Sequence, residues 1–202
     1  FVLNVLNGKQ NGFFIEIGSN NPILINNTYL LEKQFNWRGI MVEYEPNFLN
    51  QYKIHRPNSV HIINDATKID YKHVFELNNV PKNIDYLQID LEVNNKSTID
   101  TLQKLDSEIM DEYKFSTITF EHDIYIGNFF NTRHLSREIF KKRGYVCVFE
   151  DVNDSNSPYE DWWVHPDLVN MDYVNHLISI NSLNYVEHPL TQKTINWKNI
   201  KY

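Results

Sequence analysis

Cysteine is nearly absent from this chain, because Cys147 is the only one among 202 residues. A single cysteine excludes an intrachain disulfide, so nothing points to an oxidising compartment, and we expect a cytoplasmic protein. Cys147 lies in the apolar run 145–149. A small buried hydrophobic side chain is the favoured interpretation of such a cysteine, and a nucleophile is the weaker one.

Two further absences exclude classes of partner. No apolar run approaches the length of a membrane span and no signal peptide is visible, so we expect no membrane association. Positive charge is scarce, with 19 Lys and Arg against 26 Asp and Glu and a formal net charge of −7. This balance argues against a broad contact with a phosphate backbone, and the sequence predicts no nucleic-acid partner.

Glycine is also scarce, with 6 in the chain, but two of them mark a strand. Gly12 and Gly18 bound the apolar run 13–17, and a second apolar run at 39–43 ends in Glu43, with a helical pattern between them. An acid at the end of the second strand of such a unit suits a ribose, whereas a phosphate-binding loop would need more glycine. The pair therefore predicts a nucleoside cofactor without a pyrophosphate, and S-adenosylmethionine (SAM) is the candidate.

Strand and helix patterns alternate along most of the chain. We expect six strands, at 13–17, 39–43, 60–63, 84–90, 114–120 and 145–149. Helical patterns are found at 27–35, 46–52, 73–77, 97–105 and 132–143. Pro22 suits an early position of the first helix, with Asn20 or Asn21 as its cap. The alternation predicts an α/β protein with a mainly parallel sheet covered by helices on both faces.

The pattern is weaker after the sixth strand. Residues 151–160 are polar and predict a loop, 161–166 suit a seventh strand, and a helix is expected near 169–180 before an irregular tail. The chain length fits one domain, so we expect a single domain over 1–202, with a core at about 12–166 and a C-terminal extension at 167–202.

Acidic side chains and their neighbours concentrate where the predicted strands end. In an open parallel sheet, ligands bind outside the carboxyl ends of the strands, near the point where the strand order reverses. Acids at successive strand ends therefore favour one shared site over a solvated rim. The candidate cofactor-binding residues are Glu16, Gly18, Ser19, Asn20, Glu43, Asp65, Ala66 and Asp90. The candidate catalytic residues are Asp90, Glu92, Glu121 and His122.

The first three strand ends predict the cofactor contacts. Gly18 allows a positive φ beside a ligand, and the two polar residues after it could bind the amino-acid end of SAM. Glu43 is preferred to Glu45 for the ribose hydroxyls, because Glu45 directly precedes a proline and suits a helix start. Asp65, followed by Ala66, is either an acceptor for the adenine amine or a helix cap.

The later strand ends predict the reacting centre. Asp90 and Glu92 are two residues apart, so on a strand their side chains face the same side. Together with Glu121 and His122, they could supply a general base for an acceptor hydroxyl, with a structural role as the alternative for His122. Carboxylates and a histidine could also ligate a divalent metal, but the spacing shows no compact motif, and no metal site is predicted.

Two adjacent tryptophans stand out near the end of the patterned region. On a strand, Trp162 and Trp163 point to opposite faces, so one is expected in the core while the other could line a cleft. His165 could line the same cleft. A tryptophan exposed there would stack on a sugar or an adenine.

Five segments, taken in order, resemble the FkbM family of SAM-dependent methyltransferases. They lie at 12–20 (GFFIEIGSN), 37–43 (WRGIMVE), 84–92 (IDYLQIDLE), 118–122 (ITFEH) and 159–166 (YEDWWVHP). The resemblance implies a Rossmann-like class I methyltransferase fold, with a seven-stranded sheet whose last strand is antiparallel. It also implies O-methylation, commonly of sugars or of secondary-metabolite hydroxyls.

The resemblance also implies roles for particular positions. Gly18 and its neighbours would hold the methionine part of SAM, Glu43 the ribose, and Asp65 with Ala66 the adenine. Asp90 and the acid that follows it at position 92 would face the reacting centre.

The chain departs from the family pattern at two places. The first loop has Ser-Asn-Asn-Pro after Gly18, where the family carries more glycine or alanine and an acid. Glu92 is followed by Val-Asn-Asn-Lys, where the family continues with glycine and a further acid. Three hypotheses follow: an O-methyltransferase for a sugar or other small-molecule hydroxyl, a binding domain on the same fold without turnover, and an NAD-type oxidoreductase. The small number of glycines disfavours the last.

Overall fold

In the computed structural model, which describes residues 1–127, 129–154 and 157–181, seven strands form one sheet. The strands are β1 (Phe13–Ile17), β2 (Arg38–Glu43), β3 (Val60–Ile63), β4 (Asn83–Ile89), β5 (Lys114–Glu121), β6 (Val146–Asp154) and β7 (Ser157–Val164). Their order is β3-β2-β1-β4-β5-β7-β6, and all neighbouring pairs are parallel except those of β7, which is antiparallel to β5 and β6. The predicted parallel sheet and the implied antiparallel last strand are both confirmed.

Helices connect the strands and cover the sheet. They are α1 (Val2–Val5), α2 (Tyr29–Phe35), α3 (Leu49–His55), α4 (Tyr71–Leu77), α5 (Ser97–Glu108), α6 (Phe130–Lys142) and α7 (Met171–Asn181). Short 3-10 turns lie at Pro46–Phe48, Ala66–Lys68 and Pro166–Leu168. Within the described ranges, no helix combines the length and the apolar composition that crossing a membrane requires.

The core lies on both faces of the sheet because successive strand residues point to opposite sides. On one face, Ile15 and Leu87 pack in a cluster with residues of α4, α5 and α6. On the other face, Phe14 and Met41 pack with residues of α1, α2 and α3. All four side chains are fully buried or nearly so. Helices therefore pack on both faces of the central strands, as the alternating pattern predicted.

The strand order reverses between β1 and β4, which are neighbours at the centre of the sheet. From β1 the chain moves outward through β2 and β3, and from β4 it moves outward in the other direction through β5. Connections that leave a sheet in opposite directions open a crevice at the carboxyl ends of the two central strands. The fold therefore places the candidate site between the ends of β1 and β4.

The helix predicted to begin near Pro22 begins instead at Tyr29, so that prediction is wrong. Residues 18–28 form an irregular loop. The side chain of Asn21, one of the two expected caps, accepts hydrogen bonds from the backbone N–H groups of Ile23 and Leu24 at 3.0 and 2.9 Å. Asparagine side chains that bind nearby backbone in this way compete with helix formation, which explains the later helix start.

The loop predicted at 151–160 is also wrong, because β6 and β7 continue through most of it as an antiparallel pair. Val152 pairs with Glu160 there, and the register shifts along the pair mark bulges. A strand at the sheet edge tolerates polar side chains, so polarity alone does not distinguish it from a loop. The predicted tail beyond the last helix lies outside the described residues, and the extent of the domain stays a prediction.

Both tryptophans are core residues. Trp163 is fully buried against Phe140, and Trp162 is buried and stacks on Phe1 with ring centroids 5.0 Å apart. They do point to opposite faces, but the expectation that one lines a cleft is wrong because packed elements cover both faces there. His165 is also buried, and its Nδ1 accepts a hydrogen bond from the backbone N–H of Asp167 rather than facing a cleft.

Candidate active site

One cavity of about 1070 Å³ opens at the carboxyl ends of β1, β2, β4 and β5. Nearly all of the residues proposed from the sequence line it, namely Glu16, Gly18, Ser19, Asn20, Glu43, Asp65, Ala66, Asp90, Glu92 and Glu121. His122 does not. Further lining residues, which the sequence did not assign to the site, include Asn21, Leu24, Ile25, Asn26, Asn27, Tyr44, Asp123 and Ile126. Asp123 could have been found from its position, because it directly continues the acidic end of β5.

Gly18 brings the ends of β1 and β4 into contact. Its φ is +90°, and a Cβ atom placed on it would lie 1.7 Å from the backbone oxygen of Asp90. No other residue fits both that conformation and that space. The N–H groups of Gly18 and Ser19 donate to the carbonyl oxygen of Val42 at 2.9 and 3.1 Å, so the chain after β1 is also fixed against β2.

Glu43 stands at the end of β2 with its carboxylate held by backbone. The N–H of Asn20 donates to its Oε2 at 2.7 Å, and the N–H of Glu45 donates to its Oε1 at 2.9 Å. Each carboxylate oxygen has two lone pairs, so both oxygens keep acceptor capacity for a ligand. Glu45 takes the N-cap position of the turn Pro46–Phe48, which is the helix-start role expected for it.

Asp65 has the capping role that the sequence left open, and it also faces the cavity. It caps the turn Ala66–Lys68, with its Oδ1 accepting from the N–H of Thr67 at 3.0 Å, and it also lines the cavity. Hydrogen bonds from Lys68 and Thr67 lower the pKa of Asp65 to about 2. Asp65 is therefore a carboxylate at neutral pH, with Lys68 Nζ 2.8 Å from its Oδ2.

Carboxyl groups crowd the ends of β4 and β5. Burial raises the pKa of Glu121 well above its ordinary value, and a hydrogen bond with Asp90 and repulsion by its charge raise it further. Burial and the charge of Asp90 also raise the pKa of Asp123. Among the described residues that line the cavity, none is Lys, Arg or His. Glu121 therefore keeps its proton at neutral pH and is hydrogen-bonded to Asp90.

Glu16 lies at the base of the cavity and is almost fully buried. Burial raises the pKa of Glu16 to about 7, although the nearby charge of Arg56 opposes that change. The two side chains approach to 3.9 Å between Arg56 Nη1 and Glu16 Oε2. Sequence reasoning did not find Arg56, because it lies near no strand end and meets the site only through the folding of α3.

His122 lies on the other side of β5 from the cavity. Its ring is fully buried, with Nε2 at 3.4 Å from Asp151 Oδ1 and 3.5 Å from Asp161 Oδ1. Burial opposes protonation of His122, but the contacts with these two carboxylates outweigh it and raise the pKa. His122 directly follows the last residue of β5, and the cavity is lined by Glu121 and Asp123 on either side of it in sequence but not by His122 itself.

The ligand atoms of His122, Asp151 and Asp161 lie within 4.8 Å of one another, close enough to surround a metal ion. Two arginines already bind these carboxylates. Arg137 Nη2 donates to Asp161 Oδ1 at 2.7 Å and to Asp151 Oδ1 at 2.9 Å, and Arg133 Nη1 donates to Asp151 Oδ2 at 2.8 Å. The carboxylate charges are thereby balanced, so the arrangement favours an ion-pair network over a divalent cation.

Comparisons with known proteins locate the fold. The search of protein-family models found no match. The search of curated proteins found none either. Among solved structures, a TehB-like SAM-dependent methyltransferase from Corynebacterium glutamicum matches with a TM-score of 0.52 and 9% identity, over 81% of this chain and 86% of that chain.

Two further structures match to a similar degree. A protein assigned as an rRNA-methylase from Clostridium thermocellum has a TM-score of 0.51 and 14% identity, over 78% of this chain and 89% of that one. A protein in the NADB-Rossmann superfamily from Streptococcus agalactiae has a TM-score of 0.51 and 12% identity, over 81% and 67%. At these identities the likeness shows the fold, and the chain has the Rossmann-like fold of class I methyltransferases.

Proposed function

We propose that this protein is a SAM-dependent methyltransferase that methylates a hydroxyl group of a sugar or other small molecule. The observation that carries the proposal is one cavity that joins Glu43, at the end of β2, to the pair Asp90 and Glu121, at the ends of β4 and β5. Glu43 suits the ribose of a nucleoside, and the pair of Asp90 and Glu121 suits proton transfer. The class I methyltransferase fold supports this combination.

The residues present fit SAM. The free lone pairs of Glu43 suit the ribose hydroxyls, Asp65 with Ala66 suits the adenine, and the backbone at 18–20 suits the amino-acid end. The acidic lining complements a sulfonium cation. When bound, SAM supplies an electrophilic methyl group. A cavity of about 1070 Å³ is at the upper end of small-molecule sites, which leaves room for an acceptor beside the cofactor.

Asp90 is the residue we assign as the base. Glu121 keeps its proton and donates a hydrogen bond to Asp90, and of the two side chains Asp90 is the one exposed to the cavity. An acceptor hydroxyl beside Asp90 would transfer its proton to an Asp90 carboxylate oxygen. His122 is not assigned this role, because its buried ring faces away from the cavity.

The type of acceptor and a cytoplasmic location belong to the same proposal. The five segments that resemble the FkbM family support O-methylation of a carbohydrate or similar acceptor. The acidic lining of the cavity and the net charge of −7 disfavour a nucleic-acid acceptor. The single cysteine supports a cytoplasmic location.

Isothermal titration calorimetry with SAM and with its demethylated product, S-adenosylhomocysteine, tests the cofactor assignment. We expect both to bind the folded protein. A panel of hydroxylated sugars and phenols with isotopically labelled SAM then tests turnover, which Asp90→Asn should reduce. If folded wild-type protein binds neither compound, the proposal is wrong.

A binding domain without turnover is the second candidate. Glu92, which the resemblance places at the reacting centre, is exposed, and its Oε1 accepts hydrogen bonds from the backbone and side chain of Asn94. That arrangement occupies the carboxylate with its own loop. This candidate predicts cofactor binding with no methyl transfer to any member of the acceptor panel.

A further inference from the structure

The loop at residues 18–28, here called the cofactor loop, lines one wall of the cavity and contains a single glycine. Two of its other residues, Asn20 and Ile25, have positive φ values of 45° and 52°. Positive φ is unfavourable for a β-branched residue such as isoleucine, and Ile25 is fully exposed, so its own packing does not hold it there. Restraint of this loop must come from its hydrogen bonds, both within the loop and to other elements.

Arg56, which follows α3, supplies that restraint from the buried side of the loop. Its side chain is fully buried, and each of its three nitrogens donates a hydrogen bond. Nη1 donates to Asn26 Oδ1 at 2.8 Å and Nη2 to Thr28 Oγ1 at 2.6 Å, while Nε donates to Glu32 Oε2 at 2.9 Å. Two of the three nitrogens therefore bind the cofactor loop, and the third binds the carboxylate that balances the charge.

Asn26 connects Arg56 to the wall of the cavity. While its Oδ1 accepts from Arg56, its Nδ2 donates to the carbonyl oxygen of Ser19 at 2.9 Å. The next residue, Asn20, donates its N–H to Glu43 Oε2, and its carbonyl oxygen accepts from the hydroxyl of Tyr52. An unbroken set of hydrogen bonds and one peptide link thus runs from the buried guanidinium to the carboxylate proposed to bind the ribose.

We propose that Arg56 is a positioning residue that holds the cofactor loop in its ligand-binding conformation. The planar guanidinium of Arg56 holds the loop through the side chains of Asn26 and Thr28. The resemblance to the FkbM family implies a loop with more glycine at this place. This inference rests on the proposed function for the identity of the ligand. A plain structural role predicts something different: removing the fork would lower stability and leave both loop order and ligand affinity unchanged.

The test variant is Arg56→Lys, which keeps a positive charge beside Glu32 but lacks the planar fork needed to reach Asn26 and Thr28 together. Ser59→Ala is the matched control. Ser59 Oγ donates to Glu32 Oε2 at 2.7 Å, so this change perturbs the same buried ion pair without touching the loop. Asn26→Ala is the second variant, and it cuts the connection while leaving the pair of Arg56 and Glu32 intact.

Hydrogen exchange of the ligand-free proteins is measured first, comparing amides at 20–28 with those of β4. We expect faster exchange at 20–28 in Arg56→Lys and Asn26→Ala, with β4 unchanged, and wild-type exchange at 20–28 in Ser59→Ala. Calorimetry should then show affinity for S-adenosylhomocysteine reduced about tenfold or more in the two loop variants, in keeping with the loss of a charged hydrogen bond. Ser59→Ala should bind as the wild type does.

Wild-type exchange at 20–28 in Arg56→Lys, or weakened binding in Ser59→Ala equal to that in Arg56→Lys, would overturn the inference. If Arg56→Lys does not fold, Asn26→Ala decides the question by the same two measurements. Failure of the wild type to bind S-adenosylhomocysteine would count against the proposed function alone, because exchange in the ligand-free variants still reports whether Arg56 orders the loop.

Discussion

Replacement of Glu16 by glutamine should make the protein more stable, and increasingly so as the pH rises. Glu16 is almost fully buried, and burial raises the pKa of its carboxyl from 4.5 to about 7 despite the nearby Arg56. In the unfolded chain the group ionises at its ordinary pKa, so the folded state holds a proton that the unfolded state has released. Stability conferred by this group therefore falls as the pH rises from about 4.5 to about 7.

The magnitude follows from the two pKa values. One pKa unit is worth about 1.4 kcal/mol, so a rise from 4.5 to about 7 corresponds to about 3 kcal/mol at pH 8. Glutamine keeps the shape of the side chain and carries no charge. Since Arg56 retains its bond to Glu32, Glu16→Gln leaves no buried charge without a partner. The gain in unfolding free energy should be near zero at pH 4.5 and about 3 kcal/mol at pH 8.

Urea unfolding of wild type and variant, measured every half unit from pH 4.5 to 8.5, gives this difference directly. Other groups titrate over the same range, but they do so in both proteins and cancel in the difference. Glu45→Gln removes an exposed carboxylate from the same cavity rim and serves as the control, with no change in stability expected across the series. A difference for Glu16→Gln that stays constant with pH would refute the reasoning.

Four further predictions follow from the site. Gly18→Ala should lower the free energy of unfolding by about 3 kcal/mol or more in urea titrations, because its Cβ would overlap the backbone oxygen of Asp90. Glu43→Gln should weaken binding of S-adenosylhomocysteine about tenfold in calorimetry, because it removes a charged acceptor. Asp90→Asn should abolish most methyl transfer to any acceptor found in the panel, measured with the cofactor at saturating concentration. His122→Asn should lower stability more at pH 6 than at pH 9. The pKa of His122 is raised in the folded state, so its protonation stabilises the fold at pH values below the ordinary histidine pKa, and this contribution is lost as the pH rises through the folded pKa.

Each of these four variants has a control or a result that would contradict the prediction. Gly144 also has a positive φ, of +84°, but open space around it, so Gly144→Ala should cost about 1 kcal/mol, well below the loss at Gly18. Normal binding by Glu43→Gln would show that the ribose assignment is wrong. Undiminished turnover in Asp90→Asn would remove its role as base, and loss of cofactor affinity in His122→Asn would show that the ring influences the cavity after all.

Much of the site could be predicted because strand ends are visible in the sequence. Glu43 and Asp90 each end an apolar run, and the carboxyl ends of parallel strands meet at one edge of a sheet. His122 illustrates a limit of that reasoning. It directly follows the last residue of β5 and was expected in the site, but its ring packs against Asp151 and Asp161 instead of lining the cavity.

The sequence by itself determined the α/β architecture, the approximate positions of the first five strands and the acidic character of the cavity, because these depend on local periodicity and on which residues end each strand. Only the tertiary structure decided that Glu121 keeps its proton, that His122 does not line the cavity and which residues hold the cofactor loop. Those outcomes depend on contacts between residues far apart in the chain, such as Arg56 with Asn26, and on burial, which changes the pKa of Glu16 without any local signal in the sequence.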